Sequence, residues 1–527
     1  MIHPRWFVVV ALTLSLTLTG SPSPLVGCTS IMVGKSASTD GSVMTSHTCD
    51  SHRTSSAIVV VPAKRHKAGA TRLLTKRKDD DAGPMPRYGR QPTGRIPEVA
   101  STFAYLAPAY AAMNEHQLAI GESTFGGREE LLSDKGLIDC EMLTRLMLER
   151  ATTAREAIRK GGALIERYGW CDGGEALTIA DPNEVWVMEI VGPGEDAVGA
   201  VWAAQRVPDD HVSVVANAAR IGALDLADTE FFMASKNVMQ FAQAKGYWDP
   251  QSGRPFRFYE AYNPTGRTTF ATTRREWRAL DLLAPSLELP ANGNVFPFSV
   301  KPEQPVGPEK IMEIFRDTFE GTDYDMTRTL TVTDDDGKTV VSPLANPFMP
   351  YDMNKMLRLN GGWGWRGERP LARWYCMYAT VTQSRAWLPD AVGGIVWFGY
   401  DNPAMATYVP LYAGITDVAD SFKTDGRTTG FSRRSAWWAF NRVATLSAQR
   451  WGDMREDVAA LRDPLQEKWL ADQAQIAKQA VALAEKQGGQ AAMQAFLTEK
   501  SHQACEEATA AYWNLGDLLW AKYDEKW

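Results

Sequence analysis

The chain lacks most of the patterns that are typical of a cofactor site, a metal site or a nucleic-acid partner. Its 56 Lys and Arg against 63 Asp and Glu give a formal charge of −7 over 527 residues. Because this balance offers no basic surface for phosphate groups, we expect no nucleic-acid binding. The sequence has no P-loop, no HExxH and no GxSxG pattern, and its seven histidines form no helical pair of ligands. It therefore predicts no cofactor and no metal.

Long apolar runs are also scarce, and only the start of the chain contains one. Arg5 precedes an uncharged run from Trp6 to Thr19, and the segment GSPSPLVG then leads to Cys28. This order is typical of a secretory signal. We therefore predict that residues 1–27 are a signal peptide or propeptide and that the protein is exported, to the periplasm, the cell envelope or the medium. A retained N-terminal anchor is the alternative. No later run is long and apolar enough for a membrane span.

Cysteines are few and scattered. No two of the six have CxxC spacing, so neither a zinc site nor a dense disulfide scaffold is indicated. If Cys28 is reserved for chemistry, five cysteines remain, and an odd number leaves at least one unpaired within the chain. The remaining five are Cys49, Cys140, Cys171, Cys376 and Cys505.

Apolar runs that flank tight turns predict antiparallel strand pairs. Ser30 to Val33 and Ser42 to Ser46 lie on either side of a turn with Asp40-Gly41 at its tip. The same pattern surrounds the turn from Asp181 to Glu184 and the turn at Asp336-Gly337. These three segments are predicted hairpins.

Other segments predict helices or loops. Apolar residues recur at helical intervals from Cys140 to Arg167, with an interruption near Gly161-Gly162, and again over residues 229–246. From Ser435 onward, Ala-, Gln-, Glu- and Lys-rich stretches predict long helices. Residues 64–95 are polar, charged and rich in Gly and Pro, which predicts a long exposed loop. Strand pairs mixed with helical blocks favour an α+β fold.

The position of Cys28 gives it two functional groups at once. If residues 1–27 are removed, Cys28 carries a thiol and a free α-amine. An α-amine titrates at about 7.7 to 8.0, so much of it is neutral near physiological pH and can accept a proton. It can therefore activate its own thiol, directly or through a water molecule, without a catalytic histidine.

A series of motifs follows Cys28 along the chain. In order, the segments are Cys28–Ser42 (CTSIMVGKSASTDGS), Ser46–Asp50 (SHTCD), Asn114–Ser123 (NEHQLAIGES), Leu177–Asp181 (LTIAD), Arg275–Arg278 (REWR), Trp387–Tyr400 and Ser435–Phe440. This series closely resembles the C69 family of dipeptidases, which are N-terminal-nucleophile hydrolases related to penicillin V acylases and bile-salt hydrolases. The resemblance covers roughly residues 28–460, the scale of one large domain.

The resemblance implies a fold and a function. The fold is an αββα four-layer sandwich formed by residues 28–450, with residues 451–527 as a helical C-terminal extension. The function is that of a cysteine dipeptidase, a thiol protease that hydrolyses short peptides. A small peptide is therefore the expected partner, and the sequence indicates no oligomeric state.

The resemblance also implies a role for individual residues. Cys28 is the nucleophile and its α-amine the base, and Asp50 orients both groups. Asn217 provides a side-chain donor to the oxyanion hole, and a backbone N–H near Thr124 or Phe125 provides the second. An arginine lies near the nucleophile, and both Arg275 and Arg278 match it.

His47 departs from the pattern of the acylase relatives, which carry an arginine beside the cysteine. A histidine is charged only part of the time near neutral pH, so a fixed cation beside the thiolate is in doubt. His47 is instead expected to contact the substrate.

Two alternatives remain open from the sequence. Leu25-Val-Gly-Cys28 also matches a lipobox, in which a lipid is attached to the cysteine and the protein becomes an anchored, non-catalytic envelope protein on the same fold. A strand pattern directly after Cys28, where a lipoprotein has a flexible tether, favours catalysis. The second alternative is an acylase that acts on non-peptide amides.

Overall fold

The structure of the protein is a computed structural model that describes residues 27–80, 87–347, 368–427 and 430–525. Apart from Gly27, the predicted signal segment lies outside these residues. In the described ranges the chain combines antiparallel sheets with helices and ends in a helical region, so the predicted α+β class is confirmed.

Most strands of the described chain belong to two antiparallel sheets. One has seven strands in the order β16-β14-β1-β2-β19-β20-β21, and the other has eight in the order β15-β13-β12-β11-β10-β9-β8-β3. The strands are β1 (Ser30–Val33), β2 (Val43–Cys49), β3 (Val59–Val61), β4 (Lys64–Arg65), β5 (Thr71–Asp80), β6 (Arg87–Pro97), β7 (Ser101–Thr102), β8 (Tyr105–Ala107), β9 (Met113–Asn114), β10 (Ala119–Gly126), β11 (Gly174–Ala180), β12 (Val185–Val191), β13 (Val201–Val207), β14 (Val212–Val215), β15 (Phe232–Ala234), β16 (Ser299–Val300), β17 (Thr331–Thr333), β18 (Thr339–Val341), β19 (Tyr378–Ser384), β20 (Ile395–Tyr400) and β21 (Val409–Tyr412).

The three predicted hairpins are confirmed as β1–β2, β11–β12 and β17–β18. Their turns form where short polar side chains can accept hydrogen bonds from the backbone. Asp40 Oδ1 accepts one from the Ser42 N–H at 3.0 Å. Asp181 Oδ1 accepts two, from the N–H groups of Asn183 at 2.7 Å and Glu184 at 3.1 Å.

The prediction of a long loop over residues 64–95 is wrong, because β5 and β6 pair there as a two-stranded ribbon. The backbone ladder satisfies the polar groups of the main chain, so charged residues are tolerated on both strands, while Leu74 and Ile96 are buried in the hydrophobic core. Among the contacts that attach the ribbon to the rest of the protein, the Arg77 N–H donates to Asp139 Oδ2 at 2.7 Å, and Thr93 Oγ1 donates to the Leu137 carbonyl at 2.7 Å.

The helices of the described chain lie mainly between and after the strands. They are α1 (Cys140–Arg150), α2 (Ala154–Tyr168), α3 (Val238–Ala244), α4 (Phe258–Tyr262), α5 (Phe270–Leu283), α6 (Pro308–Arg316), α7 (Asp390–Gly393), α8 (Asp420–Lys423), α9 (Ala436–Ser447), α10 (Trp451–Ala484) and α11 (Gly489–Tyr523). The long helices predicted from Ser435 onward are therefore confirmed. The predicted domain boundary at residue 450 falls in the connection between α9 and α10.

Two helix predictions need correction. The interruption after Cys140 lies between α1 and α2, where Thr153 caps α2, and not at Gly161-Gly162. Gly162 lies within α2. Glycine is needed at this position because a Cβ atom would come within 2.6 Å of the Trp202 ring. Over residues 229–246 only α3 is helical, and Phe232–Ala234 instead pairs with β13. Pairing at the edge of a sheet has overridden a local helical pattern.

The two large sheets face each other. Thr45 Oγ1 on β2 donates to Thr178 Oγ1 on β11 at 2.6 Å. Gly121 on β10 has no side chain because a Cβ atom there would overlap the Ser46 carbonyl oxygen of β2. Helices α1 and α2 contact the eight-stranded sheet, whereas α5, α6 and α9 contact the seven-stranded sheet.

The C-terminal helices α10 and α11 cover β21, an edge strand of the seven-stranded sheet. The Tyr408 N–H donates to Gln466 Oε1 at 2.8 Å, and Ser501 Oγ donates to the Pro410 carbonyl at 3.1 Å. Such cover prevents the open edge from pairing with another chain. No helix in the described residues has both the length and the apolar composition that a bilayer crossing requires.

Candidate active site

Cys28 lies two residues before β1, which is one of the inner strands of the seven-stranded sheet. The residue is 1% exposed. Its carbonyl oxygen accepts hydrogen bonds from Ser123 Oγ and from Arg275 Nη1, both at 3.1 Å. Residue 28 is thus fixed from the facing sheet on one side and from a helix on the other.

Asp50 follows β2 and forms a buried ion pair with Arg369. Arg369 Nη2 donates to Asp50 Oδ2 and also to the carbonyl oxygen of Gly27. Although burial disfavours its charge, the Asp50 carboxylate raises the pKa of Arg369. The chain therefore places a fixed cation beside Cys28, where the presence of His47 had left one in doubt.

Sequence reasoning missed Arg369. The residue lies in Glu368-Arg-Pro370, a segment without helical or strand periodicity, and its partner Asp50 is more than 300 positions earlier in the chain. No local pattern could have identified it.

Of the two candidate arginines, the structure brings Arg275 to Cys28. Both lie on α5, three residues apart and so on neighbouring parts of one helix face, but their guanidinium groups have different partners. Arg275 donates to Thr29 Oγ1 at 2.8 Å and to Asn217 Oδ1 at 2.6 Å. Arg278 instead pairs with Asp317, with Nη2 to Oδ2 at 2.8 Å.

Asn217 lies two residues after β14 and has a φ of +64°, a left-handed conformation that Asn adopts more readily than most residues. Its backbone N–H donates to Ser123 Oγ at 2.9 Å, and its side-chain Nδ2 donates to the Thr124 carbonyl at 2.5 Å. Phe125 follows in β10, and its carbonyl accepts from Asn263 Nδ2 at 3.2 Å. Asn217 and Thr124 are thus brought together beside Cys28.

His47 belongs to a buried cluster with Cys28 and Glu122. A ring nitrogen of His47, the Cys28 Sγ atom and a carboxylate oxygen of Glu122 all lie within 4.8 Å of one another. His47 Nε2 is 3.3 Å from Glu122 Oε2, and the histidine is 2% exposed. Glu122 was not singled out from the sequence, although an acid inside the apolar strand Leu118-Ala-Ile-Gly-Glu122 is a signal that could have found it.

Glu122 also contacts Glu175 on the neighbouring strand β11. Burial alone would raise the pKa of Glu122, but His47 and Glu175 outweigh it and lower that pKa to about 2. Burial and repulsion from Glu122 raise the pKa of Glu175 well above its ordinary value. The pair therefore carries one negative charge on Glu122 and one proton on Glu175.

The Cys28 thiol is protonated in this arrangement. Burial raises its pKa well above the ordinary value, and the Glu122 and Asp50 carboxyl groups raise it further. In the chain that still carries Gly27, residue 28 has an amide nitrogen and thus no base of its own.

Two groups of described side chains have the spacing of metal ligands, and both include Glu122. One is Cys28, His47 and Glu122, and the other is Glu122, Cys140 and Glu175. All six cysteines are free in the described residues. The first group contains the candidate nucleophile, and a metal bound there would occupy its sulfur.

Comparison with known proteins assigns the chain to a family. The model of peptidase family C69 matches residues 27–463. A protein from Latilactobacillus sakei named "Probable dipeptidase" is 24% identical over 500 residues, which cover 91% of this chain and 92% of that protein. A "Probable dipeptidase" from Salmonella dublin is 25% identical over 444 residues (81% of this chain, 91% of that protein), and a "Probable dipeptidase B" from Streptococcus pyogenes serotype M1 is 23% identical over 475 residues (88% and 87%). The matched range includes every residue of the site described above. The chain belongs to peptidase family C69 and is a hydrolase of peptide bonds.

Proposed function

We propose that the protein is a cysteine dipeptidase that hydrolyses short peptides with Cys28 as the first residue of the mature chain. The observation that carries this proposal is the convergence of Asp50, Asn217, Arg275 and Arg369 on Cys28 at the start of an inner strand. The names of the similar proteins support dipeptides as the substrate class.

The mechanism begins with removal of residues 1–27. The freed α-amine of Cys28, with a pKa of about 7.7 to 8.0 in an unperturbed chain, takes the thiol proton directly or through a water molecule. Asp50 orients the amine. The thiolate then attacks the carbonyl carbon of the scissile peptide bond.

The attack produces an oxyanion that needs hydrogen-bond donors. Asn217 Nδ2 and a backbone N–H near Thr124 or Phe125 supply them. The leaving amine takes the proton from the Cys28 amine and departs. Water then hydrolyses the thioester and regenerates the thiol, so no cofactor is consumed.

The arrangement of the sheets supports an αββα sandwich of the N-terminal-nucleophile hydrolase type. Two antiparallel sheets face each other, and helices lie on the outer side of each. In this reading the nucleophile is carried by a strand of one sheet and the facing sheet contributes Ser123 and Thr124 through β10.

Burial of Cys28 favours catalysis over the lipid-anchored alternative. A lipoprotein cysteine has its sulfur alkylated and its amine acylated, and it needs room for both lipids. Cys28 is 1% exposed and β1 begins two residues later, without a tether. Export remains a proposal that rests on the apolar run from Trp6 to Thr19. Intact-mass analysis of the protein purified from the organism's envelope and medium separates a free Cys28 from a lipidated one.

The test of the function compares Cys28→Ala with Cys505→Ala, a matched loss of a buried free thiol on α11. Mature protein is assayed against dipeptides and against N-acyl amides that contain no peptide. Cys28→Ala should lose at least about 1,000-fold in kcat/KM on dipeptides, because it removes the thiol that forms the thioester, and the α-amine that remains cannot replace it. Full activity of Cys28→Ala would refute the mechanism, and hydrolysis of the N-acyl amides alone would identify an acylase.

A further inference from the structure

The mechanism above does not use Glu122, although its carboxylate lies beside Cys28. We propose that Glu122 binds the free α-ammonium group of the substrate and so restricts the enzyme to peptides with an unblocked amino terminus. The inference rests on the proposed function, since it places the substrate on Cys28. Beyond that function, Glu122 would be the residue that selects the substrate, and the α-ammonium group would be the feature that it recognises.

The distance between Glu122 and the nucleophile suits this role. A carboxylate oxygen of Glu122 lies within 4.8 Å of Cys28 Sγ. When Sγ is bonded to the scissile carbonyl carbon, the α-nitrogen of the same residue is three bonds away from Sγ, roughly 3 to 4 Å. A charge-assisted hydrogen bond places the acceptor oxygen about 2.7 to 2.9 Å from that nitrogen, in a direction set by the substrate. An oxygen within 4.8 Å of Sγ, such as that of Glu122, can therefore accept a hydrogen bond from the ammonium group.

The charge of the cluster is also suitable. Glu122 is 0% exposed, and the single negative charge that it shares with Glu175 resides on Glu122. In the described residues it pairs with no lysine or arginine, since its one ion-pair contact is His47. The nearby cations have other partners, because Arg275 bonds Asn217 and Arg369 bonds Asp50. The Glu122 charge is thus available to a cation that enters with the substrate.

In the described residues, no donor to Glu122 carries a fixed positive charge. Oε1 accepts from Thr124 Oγ1 at 2.9 Å, and His47 Nε2 lies 3.3 Å from Oε2 without the alignment of a hydrogen bond. The protonated Glu175 is the other neighbour that stabilises the Glu122 carboxylate. A buried carboxylate with only such partners gains from a charge-assisted hydrogen bond. An ammonium group brings three N–H donors and a positive charge.

The experiment uses the mature enzyme and two substrates, L-Ala-L-Ala and N-acetyl-L-Ala-L-Ala. Wild-type enzyme should prefer the free amine, and Glu122→Gln should lower the ratio of kcat/KM for L-Ala-L-Ala to kcat/KM for the acetylated peptide by ~100-fold. The ratio is the measured quantity because the lost charge also acts on the Cys28 thiol, and that effect is common to both peptides. The control is Glu149→Gln, which removes another buried acid at a site where Glu149 pairs with Arg72. It should keep the wild-type preference.

A second measurement does not depend on hydrolysis. L-Alaninol carries the ammonium group without a scissile bond, and N-acetyl-L-alaninol lacks the ammonium group. L-Alaninol should protect Cys28 of the wild type from alkylation by iodoacetamide, whereas N-acetyl-L-alaninol should not, and Glu122→Gln should abolish the protection.

The outcomes separate this proposal from the function on which it rests. Equal loss of activity of Glu122→Gln on both peptides, with protection by L-alaninol retained, would overturn the assignment and place Glu122 in the chemical step instead. Protection by L-alaninol that depends on Glu122, in an enzyme that hydrolyses neither peptide, would support the ammonium site and refute the dipeptidase function. No protection by L-alaninol in an active wild-type enzyme would refute the ammonium site alone.

Discussion

The Asp50–Arg369 ion pair is expected to stabilise the folded site. Removing either partner should therefore lower the free energy of unfolding. Asp50 is 1% exposed and Arg369 is 5% exposed, so neither charge can be stabilised by water if the other is lost. The substitution Arg369→Gln keeps a polar side chain but leaves the Asp50 carboxylate without its cation. Asp50→Asn leaves the guanidinium of Arg369 without its anion.

The magnitude follows from burial. Removing one partner of a buried ion pair costs about 3 to 5 kcal/mol in the free energy of unfolding, because the remaining charge stays buried and uncompensated. An exposed pair such as Lys468–Glu507, with side chains 51% and 39% exposed, contributes less than about 1 kcal/mol. Lys468→Gln is therefore the matched control.

The assay is urea-induced unfolding of each variant, with activity measured in parallel. The double variant Asp50→Asn with Arg369→Gln should be less destabilised than the sum of the two single variants, because it leaves no orphaned charge. It should remain inactive, since the group that orients the amine is still missing. In the double variant, therefore, part of the lost stability should return, whereas the lost activity should not.

This role of the ion pair would be refuted if Arg369→Gln were no more destabilising than Lys468→Gln. It would also be refuted if the losses from Asp50→Asn and Arg369→Gln were strictly additive, because two groups that form an ion pair must show a coupling energy.

Two further predictions concern the neighbours of Cys28. Asn217→Ala should lower kcat/KM by about 100- to 1,000-fold, since it removes an oxyanion donor, and should leave the rate of Cys28 alkylation unchanged; a loss below threefold would contradict that role. Gly27→Val should reduce the fraction of protein that begins at Cys28 in an intact-mass measurement, because a side chain at residue 27 would overlap Arg369 and Asn217. The mature enzyme that does form should have wild-type kcat/KM, and an undiminished fraction would show that this contact is unimportant.

Features determined by local sequence could be predicted. The hairpin turns at Asp40 and Asp181 follow from short side chains that bond the backbone within a few residues. Cys28 could be proposed as the nucleophile because the proposed chemistry depends on its position in the chain. The ribbon of β5 and β6 was mistaken for a loop because its strands are rich in charged residues, and the buried Leu74 and Ile96 alone give no apolar alternation.

Features determined by long-range contacts could not be predicted. Arg369 reaches Asp50 from more than 300 positions away, and no periodicity marks it. Arg275 and Arg278 share one helix and one motif, and only the packing of α5 decides which of them faces Cys28. Glu122 could have been suspected as an acid in an apolar strand, but its charge depends on His47 and Glu175, which belong to other strands.

The contacts of Gly27 suggest why removal of the first residues would create an active site rather than merely expose one. Gly27 now occupies the space next to Asn217, and its carbonyl accepts a hydrogen bond from Arg369. While it is attached, residue 28 has an amide nitrogen that cannot accept a proton, and burial keeps the pKa of its thiol high. Under the proposed mechanism, one cut turns that nitrogen into a base and frees Arg369 Nη2, which still donates to Asp50, from the Gly27 carbonyl. The base and the substrate position would therefore arise together, from the one cleavage that removes Gly27 and the residues before it.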